Sequence, residues 1–164
     1  MAIELSTAGI KVKWAVETTV GTRPTTGYTA LTGVKSISEF NPEPNQIDVT
    51  PLEELEWHRY IPGLKDVGGA QQLTVNDYDD FRTSWDAMMT AYYGDGTSQN
   101  PGAKSQGKAL WIEYNVPGIT SKPSFFYSAE PQDLGFNGAE VDSAYENVAY
   151  LTPNKVAGWA AASA

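Results

Sequence analysis

The segment 41–66 constrains the fold most strongly, because four prolines stand there among many large apolar side chains. Each proline lacks an N–H group and biases the residue before it towards extended geometry, which excludes a long helix or a central strand. Disordered segments are poor in aromatic and aliphatic residues, so disorder is disfavoured. The segment, called the arm below, is predicted to be a long loop with a short edge strand at 46–50. It would pack on its own domain or on a neighbouring subunit.

The composition of the arm favours contact with a neighbouring subunit. Prolines hold a segment extended and so lower the entropic cost of ordering it on a partner. Aromatic residues and arginine dominate the energetics of interfaces, and clustered acids can pair with lysine or arginine on a neighbour. The candidate interface residues are Ile47, Leu52, Glu53, Glu54, Leu55, Glu56, Trp57, Arg59, Tyr60 and Ile61.

Length and charge limit the class of protein. The chain has 164 residues, which suits one domain over 1–164, and loosely held ends are predicted at 1–8 and 153–164. Its 20 acidic residues against 11 lysines and arginines give a formal net charge of −9. A protein that grips nucleic acid through phosphates needs a basic face, and the sequence has no basic cluster, so we expect no tight DNA or RNA binding.

Alternation of apolar and polar residues predicts strands on both sides of the arm. The first strand, 9–17, places Val12 and Trp14 on an apolar face and Lys13 and Glu17 on a polar face. Further strands are predicted at 31–40, 71–75, 109–116, 124–130 and 139–150. The last of these follows Asn137-Gly138, a strong signal for a two-residue hairpin turn.

One amphipathic helix is predicted over 79–93, where large apolar residues recur at intervals of three and four. Asn76 or Asp77 is the expected N-terminal cap, and Gly94 is the expected end. The stripe expected to face a sheet contains Phe81, Trp85, Met88 and Tyr92. The residues alone therefore indicate a mainly β domain with one helix.

No residue pattern indicates catalysis, and we expect no enzymatic activity. His58 is the only histidine and cysteine is absent, so a multi-histidine or thiolate metal site cannot be built. The acids at 53, 54 and 56 are typical of a solvated face rather than of paired catalytic carboxylates. No phosphate-binding or dinucleotide-binding motif occurs, and we expect no cofactor and no metal. Neither a leader peptide nor an apolar run of membrane-spanning length is apparent, so membrane insertion is not expected.

Four successive motifs resemble those of the tail tube proteins, or major tail proteins, of bacteriophages with long non-contractile tails. They are GIKVKWAVE at 9–17, VGTRPTTGYTALTGVKSI at 20–37, IDVTPLEE at 47–54 and YIPGLKDVGG at 60–69. A strand and the single helix follow these motifs, as they do in that family. The resemblance covers the chain from residue 9 to residue 148.

The resemblance implies a β-sandwich or partly closed barrel of two packed sheets, with the helix and the arm loop at its flanks. Six subunits would form a ring, and rings would stack into a tail tube that conducts viral DNA into the host. The protein would be made in the host cytoplasm and reside in the virion tail. Its partners would be further copies of itself, the tape measure, tail terminator and tail-tip proteins, and double-stranded DNA in non-specific transit.

Two polar strand faces are candidates for lining the lumen of such a tube. A polar, acidic lining lets DNA slide, because phosphates find no cations to bind. Alternatively, either polar face could lie on the outside of the subunit, in contact with solvent. The residues are Gln72, Thr74 and Asn76 on one strand, and Glu140, Asp142 and Glu146 on the strand 139–150.

Other classes of protein remain open at this point. A tail terminator or adaptor would also form rings and shares a similar fold. A carbohydrate-binding β-sandwich would use exposed Trp and Tyr residues as a flat platform, and an unrecognised hydrolase is a third class. Tubes or hexameric rings in electron micrographs would favour a tail protein, whereas monomers with glycan affinity would favour the carbohydrate-binding module.

Overall fold

The computed structural model describes residues 6–41 and 43–164, and these residues form a mainly β protein with one α-helix, as predicted. The sequence predicts one domain, and the structure groups the chain into two compact units. Glu39–Gly69, which includes the arm, forms the smaller unit. Met1–Ser38 together with Ala70–Ala164 forms the larger unit.

The strands form two antiparallel sheets, of seven and two strands. The larger sheet has the order β2-β1-β7-β8-β9-β6-β3, and the smaller sheet pairs β4 with β5. Neither sheet closes into a barrel within the described ranges. The strands are β1 Lys11–Val16, β2 Thr29–Ala30, β3 Val34–Ile37, β4 Pro44–Asp48, β5 Tyr60–Lys65, β6 Gln71–Asn76, β7 Leu110–Asn115, β8 Ser124–Pro131 and β9 Glu146–Ala160.

The predicted strand 31–40 is shortened to β3, Val34–Ile37, and the separate short strand β2, Thr29–Ala30, precedes it. Between them Gly33 has a φ of 89°, a conformation that residues with a Cβ rarely adopt. A Cβ at this position would also lie 2.7 Å from the ring of Tyr78. The turn therefore requires glycine, and it separates β2 from β3.

Strand β9 joins the two halves of the larger sheet. Its first part pairs with β6, from Glu146 opposite Asn76 to Leu151 opposite Gln71. Its second part pairs with β8, from Leu151 opposite Pro131 to the end of the strand. The structure thus places 153–160 in a strand, where the sequence analysis expected a loose end. The small and polar residues of this segment have a weak β pattern. The segment is ordered because its backbone pairs with β8.

The predicted strand over 139–145 and its Asn137-Gly138 hairpin turn are wrong. Residues 132–145 form a loop without regular strands, and β9 begins only at Glu146. Long-range hydrogen bonds hold this loop, since the Asn147 side chain donates to the Gly135 carbonyl at 2.8 Å. The Asp77 amide likewise donates to the Tyr145 carbonyl at 3.1 Å. These contacts override the local turn preference.

Helix α1 spans Asp79–Tyr93, as predicted, and its predicted stripe is buried. It packs against β1, and the Tyr92 hydroxyl donates to Glu130 at the end of β8. Gly94 ends the helix with a φ of 84°, and its N–H donates to the Thr90 carbonyl. The predicted N-terminal cap is wrong, because Tyr78 occupies that position with no side-chain capping bond.

Both faces of the central strands are covered. Leu110, Ile112 and Tyr114 of β7 are buried on one face, and Trp111 and Glu113 on the other. Glu17, predicted on a polar face, is also buried, with 4% of its surface exposed. Glu17 is buried because the loop 18–28 folds back over this face. The alternation of residues within the first strand gives no sign of that loop.

Candidate assembly surface

The arm is a β-hairpin rather than a long loop, which corrects the prediction. Strands β4 and β5 pair antiparallel, with Ile47 opposite Ile61 and Asp48 opposite Tyr60. The register shifts between Pro44 and Gln46. A two-stranded hairpin leaves one edge of each strand free, and a proline at such an edge forfeits no ladder hydrogen bond. The prolines therefore exclude a central strand but permit this hairpin.

Strand β5 also carries a glycine where the two backbones approach closely. A Cβ at Gly63 would lie 3.0 Å from the Asn45 carbonyl and 3.3 Å from the Ile47 side chain. Such a contact is tight enough that a neighbour would have to move. Gly63 thus allows the close pairing of the hairpin near its irregular register.

The tip of the hairpin, residues 49–59, is ordered by its own polar groups. The Asp48 carboxylate accepts from the Thr50 amide at 2.9 Å and from the Thr50 hydroxyl at 2.5 Å. These bonds lower the pKa of Asp48, and His58, whose Nδ1 lies 3.4 Å from the carboxylate, also contributes. The Thr50 hydroxyl in turn accepts from the Arg59 amide at 2.8 Å. The tip is therefore held before any partner arrives.

Two of the predicted interface ions already pair with each other inside the arm. The Arg59 guanidinium donates to the Glu54 carboxylate at 2.7 Å, and only 19% of the Glu54 side chain is exposed. Glu53 and Glu56 are exposed, and neither forms an ion pair in the described part of the chain. Of the three predicted acids, Glu53 and Glu56 are thus free to meet a basic group on a neighbour, whereas Glu54 is not.

The apolar side chains of the arm are exposed rather than packed in a core. Leu52 is fully exposed, Leu55 is 92% exposed and Trp57 is 75% exposed. Leu64, which the sequence analysis did not select, is 88% exposed. Exposed apolar side chains that cluster on one segment mark interaction sites. The remaining predicted anchors, each about half exposed, are Ile47, Tyr60 and Ile61.

Four of the six candidate lumen residues lie together on one face of the larger sheet. Gln72 and Asn76 are exposed on β6, Thr74 is half-buried, and the intervening Leu73 and Val75 are buried, so the predicted alternation is confirmed. Glu146 lies directly opposite Asn76 in β9 and forms an ion pair with Lys35. The face is therefore polar and nearly neutral at this end rather than acidic.

Glu140 and Asp142 do not belong to that face, which corrects the prediction. Both lie in the loop 132–145, and Asp142 has a φ of 62°, outside strand geometry. The same loop exposes Phe136 and Val141, which are 85% and 91% exposed. A strand over 139–150 with Glu140 and Asp142 on its polar face would place Val141 on the opposite, buried face, and no local signal distinguishes it from a core valine.

The described residues contain no cluster of three or more His, Cys, Asp or Glu side chains placed to hold a metal ion. His58 is 71% exposed and contacts Asp48 and Thr50. In the described ranges, no serine or threonine other than Thr50 lies within hydrogen-bond distance of its ring. Nor does any helix in this part of the chain have the length and apolar character needed to cross a bilayer.

Comparison with known proteins finds the same fold in two six-fold symmetric assemblies. A chain of the anti-feeding prophage baseplate, symmetrised six-fold, superposes with a TM-score of 0.62 and 10% identity, covering 98% of both chains. A chain from the tail of an empty gene transfer agent particle, with C6 symmetry, gives a TM-score of 0.57 and 13% identity. It covers 96% of this chain and 100% of that one. No family model and no curated protein sequence matches. At these identities the likeness establishes a shared fold.

Proposed function

We propose that this protein is a structural virion protein that polymerises as stacked hexameric rings into a phage tail tube. The observation that carries the proposal is the arm, a hairpin with a pre-ordered tip and a set of exposed large apolar side chains. A soluble subunit gains nothing from exposing Leu52, Leu55 and Trp57 unless a partner covers them. The shared fold with chains of a tail and of a baseplate, both six-fold symmetric, supports a ring as that partner.

The arm is proposed to clamp a neighbouring subunit, within the ring or in the next ring. Residues 39–69 hold seven acidic and two basic residues, so they carry −5 of the chain's formal −9. Such a segment favours a basic or neutral docking surface and disfavours pairing with another arm. The charge would thereby set which surfaces meet, while the apolar anchors would supply affinity.

The tube is proposed to serve as the conduit for double-stranded DNA, and the protein is proposed not to be an enzyme. The outward face of β6 and the start of β9 would line the lumen, with Gln72, Thr74, Asn76 and Glu146 towards the DNA. A nearly neutral lining holds few cations, so phosphates pass without being trapped. Other copies, the tape measure, terminator and tail-tip proteins are the proposed partners, and the virion tail is the proposed location.

The baseplate neighbour favours a second candidate, a ring-forming component other than the tube. Electron microscopy of the purified protein at high concentration separates the two. Stacked rings of six subunits that grow into tubes are the result expected for a tube protein. Single six-fold rings that do not stack would favour the second candidate, and persistent monomers at all concentrations would contradict both.

A further inference from the structure

One face of the larger sheet contains two buried carboxylates, those of Glu17 and Glu113. They are 4% and 0% exposed. Glu113 and Trp111 lie two residues apart in β7 and so point to the same side of the sheet. The Trp111 indole N–H donates to Glu17 at 2.9 Å, which places Glu17 on that side as well.

Glu17 holds the start of the loop 18–28 on this face. Its carboxylate accepts from the Gly21 amide at 2.9 Å and from the Ala109 amide at 3.2 Å. Burial alone would raise the pKa of Glu17, but these bonds and the one from Trp111 outweigh it and lower the pKa. The acid is therefore ionised and acts as an anchor for the backbone of the loop.

The rest of the loop lies over Phe126 of β8. The Arg23 guanidinium is 4.0 Å from the centre of the Phe126 ring, and the Tyr28 ring meets the same ring edge-on at 5.8 Å. The Tyr28 hydroxyl donates to the Pro24 carbonyl at 3.0 Å. The loop thus forms a cover over this face, fixed at its start by Glu17.

Glu113 holds the segment 161–164, which follows β9. The Ser163 hydroxyl donates to one oxygen of Glu113 at 2.6 Å, and the Ser163 amide donates to the other at 3.3 Å. The Ser124 hydroxyl also donates to this carboxylate, at 2.6 Å. Next to Ser163, the Ala164 amide donates to the Thr25 carbonyl at 3.1 Å and so reaches the middle of the loop.

Within the sheet, the Glu113 carboxylate has one hydrogen-bond partner, the Ser124 hydroxyl of the neighbouring strand β8. Burying a charge is costly unless it is paired or hydrogen-bonded, and no ion pair joins Glu113 to a basic side chain in the ranges described. An apolar residue would satisfy the strand without that cost. Two of the three hydrogen bonds to the carboxylate come from Ser163, which explains the acid as a docking group for this segment.

We propose that residues 161–164 act as a strap, in which Ser163 docks on the buried carboxylate of Glu113 and Ala164 thereby fixes the loop 18–28 over the sheet. The strap couples the order of two segments that lie more than 130 residues apart in the chain. Release of Ser163 frees the loop and uncovers Glu113 and Phe126. This device belongs to the single subunit and does not depend on the proposed assembly.

Amide hydrogen exchange of the isolated protein tests the strap. In the Ser163→Ala variant, exchange of the loop 18–28 is expected to speed up by roughly ten- to a hundredfold, the equivalent of one hydrogen bond to a charged group. Ser163→Asp places a like charge beside Glu113 and is expected to give a larger increase. Exchange of α1 is expected to stay at the wild-type rate in Ser163→Ala.

The matched control is Ser143→Ala, which removes a serine hydroxyl that donates to the Glu140 carbonyl within its own loop. It is expected to leave the loop 18–28 unchanged. The proposal is overturned if Ser163→Ala leaves exchange of 18–28 at the wild-type rate. It is equally overturned if 18–28 and α1 speed up together, because the segment would then be part of the global core. Should Ser163→Asp unfold the chain, Ser163→Ala alone decides.

Discussion

The Arg82 guanidinium forms a two-point ion pair with the carboxylate of Asp77, five residues earlier at the entry to α1. Nε lies 2.5 Å from one carboxylate oxygen and Nη2 lies 2.6 Å from the other. The Asp77 side chain is only 2% exposed, whereas half of the Arg82 side chain is in solvent. The hydrogen bonds from Arg82 are the main reason that the pKa of Asp77 is lowered. Asn147, which also holds the loop 132–145, donates to the same carboxylate.

The first prediction concerns this pair. Asp77→Asn should reduce the free energy of unfolding by about 1–3 kcal/mol at pH 7, because Arg82 loses its partner but remains half solvated. A lowered folded pKa contributes stability that is present above the unfolded value of about 3.9 and is lost as pH falls through the folded value. The deficit of the variant, measured by urea unfolding, should therefore shrink below about pH 4.

Asp80→Asn is the matched control for that experiment. Asp80 is an exposed acid in the first turn of α1 and forms no ion pair among the residues described. Its loss should cost about 0.5 kcal/mol or less, through the helix dipole alone. Equal deficits for the two variants at pH 7 would show that the Asp77–Arg82 pair adds nothing.

The second prediction contrasts two tryptophans. Trp85 is 1% exposed in α1 and its ring contacts the Phe81 ring at a tilt, whereas Trp57 is 75% exposed in the arm. Trp85→Ala should destabilise the protein by about 3–5 kcal/mol, since it leaves a cavity in the core. Trp57→Ala should change the free energy of unfolding by about 0.5 kcal/mol or less. Chemical denaturation of both variants measures the difference, and a similar midpoint for the two would refute the assignment of the core.

The third prediction concerns the arm as a clamp. Leu55→Ser with Trp57→Ser should leave the circular dichroism spectrum and the unfolding midpoint unchanged, because both side chains are in solvent in the subunit. Polymerisation should be lost in electron micrographs, since the anchors no longer bury apolar surface on a neighbour. Val20→Ser, which alters an exposed apolar residue outside the arm, is the control and should still polymerise. Ordinary tubes from the double variant would eliminate the clamp.

The fourth prediction concerns the proposed lumen. Gln72→Lys with Thr74→Lys should spare folding, because neither side chain is on the buried face of β6. Particles carrying the variant should assemble and then eject DNA slowly, as the new cations hold phosphates. The matched Gln72→Glu, Thr74→Glu variant has the opposite charge at the same positions and should eject normally. Equal infectivity of the two would place this face on the outside of the tube.

Helix α1 and strand β6 could be predicted from the sequence because their apolar residues follow one period throughout. In α1, Phe81, Trp85, Met88 and Tyr92 all face the core, and the predicted bounds agree with the structure. In β6, the alternation of Gln72 and Thr74 with buried neighbours gives the correct outward face. In both elements the local sequence pattern and the tertiary environment favour the same structure. Prediction from sequence succeeds under that condition.

The arm and the end of the chain could not be predicted because distant contacts decide them. Prolines in the arm excluded a central strand, but they did not reveal that β4 and β5 pair with each other. Asn137-Gly138 has the composition of a hairpin turn, yet the bond from Asn147 to Gly135 holds this region as a loop. Glu17 alternates onto a polar face, and only the loop that folds back over it explains its burial.

Strand β9 follows every other strand in the chain, although it is what connects β8 to β6. A nascent chain that has not yet extended through β9 leaves both of those strands with an open edge. Unpaired edges of this kind are templates for wrong association between chains. Sheet pairing between distant parts of a chain also slows folding. The rate at which β9 inserts therefore sets how long each new subunit remains vulnerable to aggregation during its synthesis.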